Sequence, residues 1–106
     1  MKYMLEYEIR TAGLTHEQGM AGQQALLTAF SKWRPDDGLK VHAFLGKVAG
    51  AGGYVLVEAD DVKLVAAFVA KFTYWNDIEV VPVLDVGDSV ANAQAALVWA
   101  QAAAKA

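Results

Sequence analysis

The sequence predicts an α+β fold, a four-stranded antiparallel sheet with its helices on one face. Three observations predict it: β-rich and amphipathic helical segments follow one another as β-α-β-β-α-β, an alanine-rich helix ends the chain, and 106 residues is the length of one domain. Residues 1–106 are therefore read as one unit. Tyr3, Leu5, Tyr7 and Ile9 alternate with Met4, Glu6, Glu8 and Arg10, the period-2 pattern of a strand with two unlike faces. Thr15-His-Glu-Gln18 has the form of a capping box, and Met20, Leu26, Leu27, Phe30 and Trp33 follow at helical spacing. Pro35, Asp36, Asp37 and Gly38 end that helix.

Residues 39–48 and 53–59 are β-rich runs joined by Ala49-Gly-Ala-Gly52, a link suited to a hairpin. Asp60 or Asp61 caps a second helix, whose apolar positions Leu64, Val65, Phe68, Val69, Phe72 and Trp75 recur every three or four residues, with Asn76 and Asp77 as its exit. Residues 78–84 form the last strand, and Pro82 places it at an edge or a bulge because proline cannot donate to a central ladder. Asp88 is read as the cap of a terminal helix over residues 88–105. This order is the ferredoxin-like split βαβ arrangement. One face of such a sheet is left for solvent or a partner, and two of them commonly close into a dimeric α+β barrel around a small cavity. Trp99 sits off the apolar stripe of Val90, Ala93, Leu97 and Ala100, and a partner subunit is the expected place for it.

Composition removes several classes of function. There is no cysteine, which excludes disulfides, thiolate nucleophiles and Cys-ligated metal centres. The net charge is -3 with basic residues scattered singly, so neither nucleic acid nor an anionic membrane is an expected partner. No run approaches the ~20 apolar residues of a spanning helix, and the first residues carry carboxylates where a signal peptide would be apolar; a cytoplasmic protein is expected. His16 and His42 lie on different elements with no carboxylate at ligand spacing, so no metal is expected, and no other cofactor is implied. Glycines 50, 52 and 53 join two strands, whereas phosphate-binding loops lead from a strand into a helix.

Strand phase separates two sheet faces. Val41, Ala43, Leu45, Val55, Val57 and Ala59, with Leu5, Tyr7 and Ile9, are assigned to the helices; Glu6, Glu8, Arg10, His42, Phe44, Tyr54, Leu56 and Glu58 are left on the open face. A hairpin symmetric about Gly50 sets His42 opposite Glu58 and Phe44 opposite Leu56. A carboxylate so placed fixes the imidazole tautomer and raises its basicity, which makes His42 the candidate base and Glu58 its orienter. Glu6, Phe44 and Tyr54 are the candidate substrate contacts on that face, and Trp75, with Tyr74, the candidate wall at one end of the cavity. Arg10 and Lys71 are read as surface or inter-subunit salt-bridge partners.

Phe30-Ser-Lys-Trp-Arg-Pro35, His42-Ala-Phe-Leu-Gly46, Gly52-Gly-Tyr-Val-Leu-Val-Glu58, Lys71-Phe72 and Val81-Pro-Val-Leu-Asp85 resemble, in order and spacing, the bacterial DUF3303 family of the dimeric α/β-barrel superfamily. The resemblance implies a homodimeric barrel. It implies no single reaction, because the superfamily includes monooxygenases, haem-degrading enzymes, isomerases and proteins without known activity. Its haem-binding members carry a histidine on the second helix, where this chain offers Lys71, so haem is not implied. Two functional readings follow. One is a homodimer that binds a small organic molecule beside the open face, with cofactor-independent isomerase, cyclase or monooxygenase-like proton transfer. The other is a non-catalytic dimerisation or ligand-carrier module, in which the charges of that face lock two sheets together.

Overall fold

In the computed structural model, which describes residues 1–105, the elements are β1 (Lys2–Ile9), α1 (His16–Lys32), β2 (Lys40–Gly46), β3 (Gly52–Glu58), α2 (Val62–Phe72), β4 (Asn76–Val83) and α3 (Val86–Ala103). Ala106, the last residue of the expected domain, lies outside the described residues. The strands form one antiparallel sheet in the order β2-β3-β1-β4. This is the ferredoxin-like fold. Pro82 falls on β4, an edge strand, where its missing N–H removes no bond from a central ladder.

Local chemistry sets the helix starts. The Thr15 hydroxyl accepts from the Gln18 amide while the Gln18 side chain accepts from the Thr15 amide, so the capping box forms in full. Asp61 caps α2 by accepting from the Lys63 amide. The start of α3 differs from the expected one: Asp85, not Asp88, is the N-cap residue. Its carboxylate makes no capping bond, because it accepts instead from Lys2 Nζ at 2.9 Å. Asp88, three residues on, lies in the first helical turn, where a negative charge still suits the helix dipole.

The core lies between the sheet and the two packed helices. Leu5, Val55, Val57 and Val65 are almost wholly enclosed, each worth about 1.5–3 kcal/mol in burial. Tyr3, Leu39, Ala59, Phe68 and Phe72 complete the buried set. α1 departs from its expected stripe. Its half-buried residues are Gly19, Gly22, Leu26 and Ala29, and no residue of the helix is fully buried, while Met20 and Leu27 are exposed. Small side chains at the seam leave α1 poorly filled in against the sheet.

The β2–β3 ladder contains a bulge that the symmetric-hairpin expectation lacks. Val41 pairs with Val57, but the next pair is Ala43 with Leu56, so His42 is an extra residue. Beyond it the strand phase is reversed. Phe44 pairs with Val55 and turns to the helices, meeting Phe30 at 5.2 Å and Tyr7 at 5.8 Å between ring centroids, and Leu45 is 58% exposed. The expectations of Phe44 on the open face and of Ala43 and Leu45 under the helices are thus corrected. The reason is energetic: Val41 and Phe44 are three residues apart, and one inserted residue lets both face the core, where the Phe ring has far more apolar area to bury than Ala43.

α3 stands apart from this packing. None of its residues is buried, and the radius of gyration is 19.0 Å, against ~13 Å for a compact chain of about this length. The molecule is 67 Å long in its longest dimension and 31 × 22 Å in the others.

Gly53 is required by close approach. A methyl group there would collide with the Leu45 carbonyl and the Tyr7 ring, because β2 and β1 both press on this point of β3. Gly53→Ala is expected to destabilise the fold by about 1–3 kcal/mol. Urea unfolding should show a lower midpoint with an unchanged slope, and an unchanged midpoint would show that the strands part without cost.

Candidate functional site

An apolar cavity of about 230 Å3 lies between α1, α2 and the inner face of the sheet. Leu5, Tyr7 and Ile9 of β1 form its floor with Phe44, Val55 and Ile78 from the other strands. Leu26, Leu27 and Phe30 of α1 and Phe68 and Phe72 of α2 form its sides. Its origin is the seam of α1. The C-terminal end of that helix is pinned where Trp33 stacks on Phe68 at 4.9 Å, while farther back the residues facing the sheet are too small to reach it. A second, more polar hollow continues under the N-terminal half of α1, sharing Ile9 and Leu26 with the first and passing Gly19 and Gly22 to reach Arg10, Tyr74 and Trp75. Both hollows lie on the helix side of the sheet.

One polar side chain enters the apolar lining. Asn76, the first residue of β4 and paired with Ile9, is only 4% exposed. Its Nδ2 donates to the Phe72 carbonyl at 3.1 Å, satisfying one of the free carbonyls at the end of α2. Its Oδ1 has no partner, the only such buried side-chain atom among the described residues. A buried amide oxygen left unpaired costs about 1–3 kcal/mol. Tyr7 supplies the other polar group nearby, with its hydroxyl 3.4 Å from the Leu45 carbonyl; burial pushes its phenol up from the ordinary value, which keeps it protonated.

The site residues expected from the sequence fall in three places. His42 and Glu58 meet on the open face, with Nε2 and Oε1 2.7 Å apart. They are brought together by the bulge and not by direct pairing, because Glu58 is opposite Lys40 and Lys2. The hydrogen bond from His42 holds the Glu58 carboxyl below its ordinary 4.5, and the charges of Lys2 and the N-terminus act in the same sense. Lys2 in turn pairs with Asp85, whose carboxyl that contact also lowers. Glu6 and Tyr54 share a second place, paired across β1 and β3 nearer the hairpin, where Lys47 lies 3.3 Å from the Glu6 carboxylate and 5.6 Å above the Tyr54 ring. Four residues of β1 separate Lys2, opposite Glu58, from Glu6, roughly 13 Å. Phe44 and Trp75 are on the other side of the sheet, Phe44 in the apolar cavity and Trp75 with Tyr74 in its polar neighbour. Arg10 and Lys71 pair within the chain, with Asp77 and Asp36 respectively at 3.3 Å.

The cavity expected from the sequence lies beside the open face, where a second copy of the chain would close it, and is distinct from this one; Asn76 is expected only as a helix exit. The three-residue spacing of Val41 and Phe44 was the available signal for the bulge. For Asn76 no local pattern distinguishes an exposed turn residue from one folded inward beneath α1. Among the described residues, no group of three or more His, Cys, Asp or Glu side chains is placed to hold a metal. No helix among the described residues is long and apolar enough to cross a membrane.

Because its carboxyl is depressed on folding, Glu58 contributes stability that is present above its ordinary pKa and is lost as pH falls through its folded value. An NMR titration of the Glu58 side-chain carbon should give a midpoint below that of an ordinary glutamate, and His42→Ala should raise it. Equal midpoints in the two proteins would mean that the contact carries no interaction in solution.

Comparison with solved structures finds SCO4226 from Streptomyces coelicolor A3(2), known from a crystal structure, at 18% identity and a TM-score of 0.38, covering 78% of this chain and 99% of that one. No curated protein matches the chain. The model of the family described as a domain of unknown function, DUF3303, matches residues 1–97, and the chain belongs to that family.

Proposed function

We propose that this protein is a homodimer that binds a small, largely apolar organic molecule in the cavity between its sheet and helices. The cavity itself carries the reading. Its walls are aliphatic and aromatic with a single buried amide among them, the composition of a small-molecule site. A ligand that binds the folded chain stabilises it, by about 2.7 kcal/mol at a concentration one hundred times Kd.

The homodimer is supported by α3 and by the open face. α3 carries no charged side chain from Ser89 to Ala104, and Val90, Leu97, Val98 and Trp99 are exposed on it, Trp99 to 73%. A helix so poor in charge gains little from solvent on all sides. On the sheet, Met4, Leu56 and Val81 form an apolar row across three strands, between the Lys2–Asp85 end and the Glu6–Lys47 end. A second copy brings both surfaces their complement in one symmetric contact.

Proton transfer on the open face is a second reading, favoured by the 2.7 Å His42–Glu58 contact. In it His42 is the base and Glu58 orients the ring. Its substrate would sit where two sheets meet, on the opposite side of the sheet from the apolar cavity. A carrier without chemistry needs only the cavity and the dimer.

Thermal unfolding with a panel of apolar aromatic molecules should show Tm raised by some of them, and Leu27→Trp, which narrows the cavity at an exposed edge, should abolish the rise. No rise with any member would overturn the binding reading. Sedimentation should find the full chain dimeric, and a chain ending at Leu84 or carrying Leu97→Glu with Trp99→Glu should shift towards monomer. A monomeric full chain would remove the dimer.

A further inference from the structure

No residue of α3 is buried in its own chain, and its apolar residues repeat in a pattern complementary to a second copy of the same helix. We propose that two copies associate by laying α3 against the partner's α3 in antiparallel register, with the two-fold axis at the level of Ala95. The inference rests on the homodimer reading above and assigns its contact and direction.

Side-chain size sets the direction. Val86, Val90, Ala93, Leu97, Ala100 and Ala104 follow one another alternately four and three residues apart, the spacing that keeps one seam of a helix against another. Val86, Val90 and Leu97 are each more than half exposed in the single chain. A parallel pair would set every seam residue against its own copy. Leu97 would then meet the partner's Leu97 while Ala93 and Ala100 met alanine, and the wide layers would hold the narrow ones apart. Antiparallel pairing about Ala95 sets Val90 against the partner's Ala100, Leu97 against the partner's Ala93 and Val86 against the partner's Ala104. Every layer then holds one larger side chain and one alanine, which fills the seam evenly.

Charge favours the same direction. Asp85 and Asp88 stand at the N-terminal end of α3 and Lys105 follows its C-terminal end, with no charged side chain from Ser89 to Ala104. Antiparallel pairing brings the acidic end of each helix level with the basic end of the other and opposes the two helix dipoles, whereas parallel pairing sets like ends together. Beside the seam stand Gly87, Ser89, Gln94, Ala96, Gln101 and Ala103, uncharged and mostly small, so nothing repels the partner and the helix axes can draw close.

The test is sedimentation of the full chain and of α3 variants, whose side chains take no part in the core. Val90 and Ala100 lie about 15 Å apart along one helix and meet only across the proposed contact. Val90→Ala and Ala100→Val are each expected to raise the dimer Kd roughly tenfold. The double variant exchanges large for small within a layer and should return to within about threefold of the unmutated chain. Leu97→Glu should abolish the dimer, while Ala95→Glu, on the opposite side of the helix, should change Kd by less than about threefold. Single effects that simply add, or an Ala95→Glu as damaging as Leu97→Glu, would overturn the seam and leave the homodimer standing. Because the chain has no cysteine, spin labels on Ala95→Cys or Ala102→Cys give the direction separately. The first label should sit level with its copy and the second be offset from its copy by about 21 Å along the pair. Equal label separations would mean a parallel pair and overturn the proposal, and a monomeric full chain would overturn it together with the homodimer.

Discussion

One inserted residue in β2 governs most of what is distinctive in this molecule. By making His42 supernumerary, the bulge lets Val41 and Phe44 both face the helices although they are an odd number of residues apart. Phe44 then becomes the meeting point of Tyr7 from the sheet, Phe30 and Trp33 from α1 and its flank, and Phe68 from α2. That ring joins the contacts of Trp33 and Phe30 with Phe68 and Phe72 in holding one end of α1, whose other inward residues are mainly glycine and alanine. The same insertion leaves the His42 imidazole on the other side, against Glu58. A single local irregularity thus supplies the aromatic junction on one face and the His–Glu contact on the other.

The cavity follows from how α1 is attached. Aromatic stacking at Trp33 fixes one end of the helix, and small residues hold the remainder off the sheet. A larger side chain at Gly22 or Ala29 would have served packing better, because filled interiors are the rule and voids carry a cost. Asn76 adds to that cost with a buried, unpaired amide oxygen. Features that lower the stability of a fold are common where it contacts a ligand.

The two faces of the sheet therefore offer different chemistry at different depths. The inner face borders a partly open apolar space whose lining includes Tyr7 and Asn76. The outer face is half exposed and organised by the ion pairs of Lys2 with Asp85 and Lys47 with Glu6 and by the hydrogen bond of His42 with Glu58, each of which costs side-chain freedom and is weakened by solvent. Such pairs gain strength when water is excluded, as it would be beneath a second sheet. α3 is rooted at the Lys2–Asp85 pair and has no buried residue of its own.

Local sequence is enough for the order of elements, the capping box at Thr15, the confinement of Pro82 to an edge or a bulge, and the division of β1 into an apolar and a charged face. Each depends on neighbours within a few residues, where period, capping and proline chemistry act directly. The contact of His42 with Glu58 was also legible, although through a register that does not form. The side of Phe44, the presence of the inner cavity and the burial of Asn76 follow from tertiary contacts. Strand phase beyond a bulge is settled by which side chain gains most from the core, and a cavity is what remains when two elements are held apart by a third. Neither is encoded in any short run of residues, because both are outcomes of competition among contacts that exist only once the chain has closed on itself.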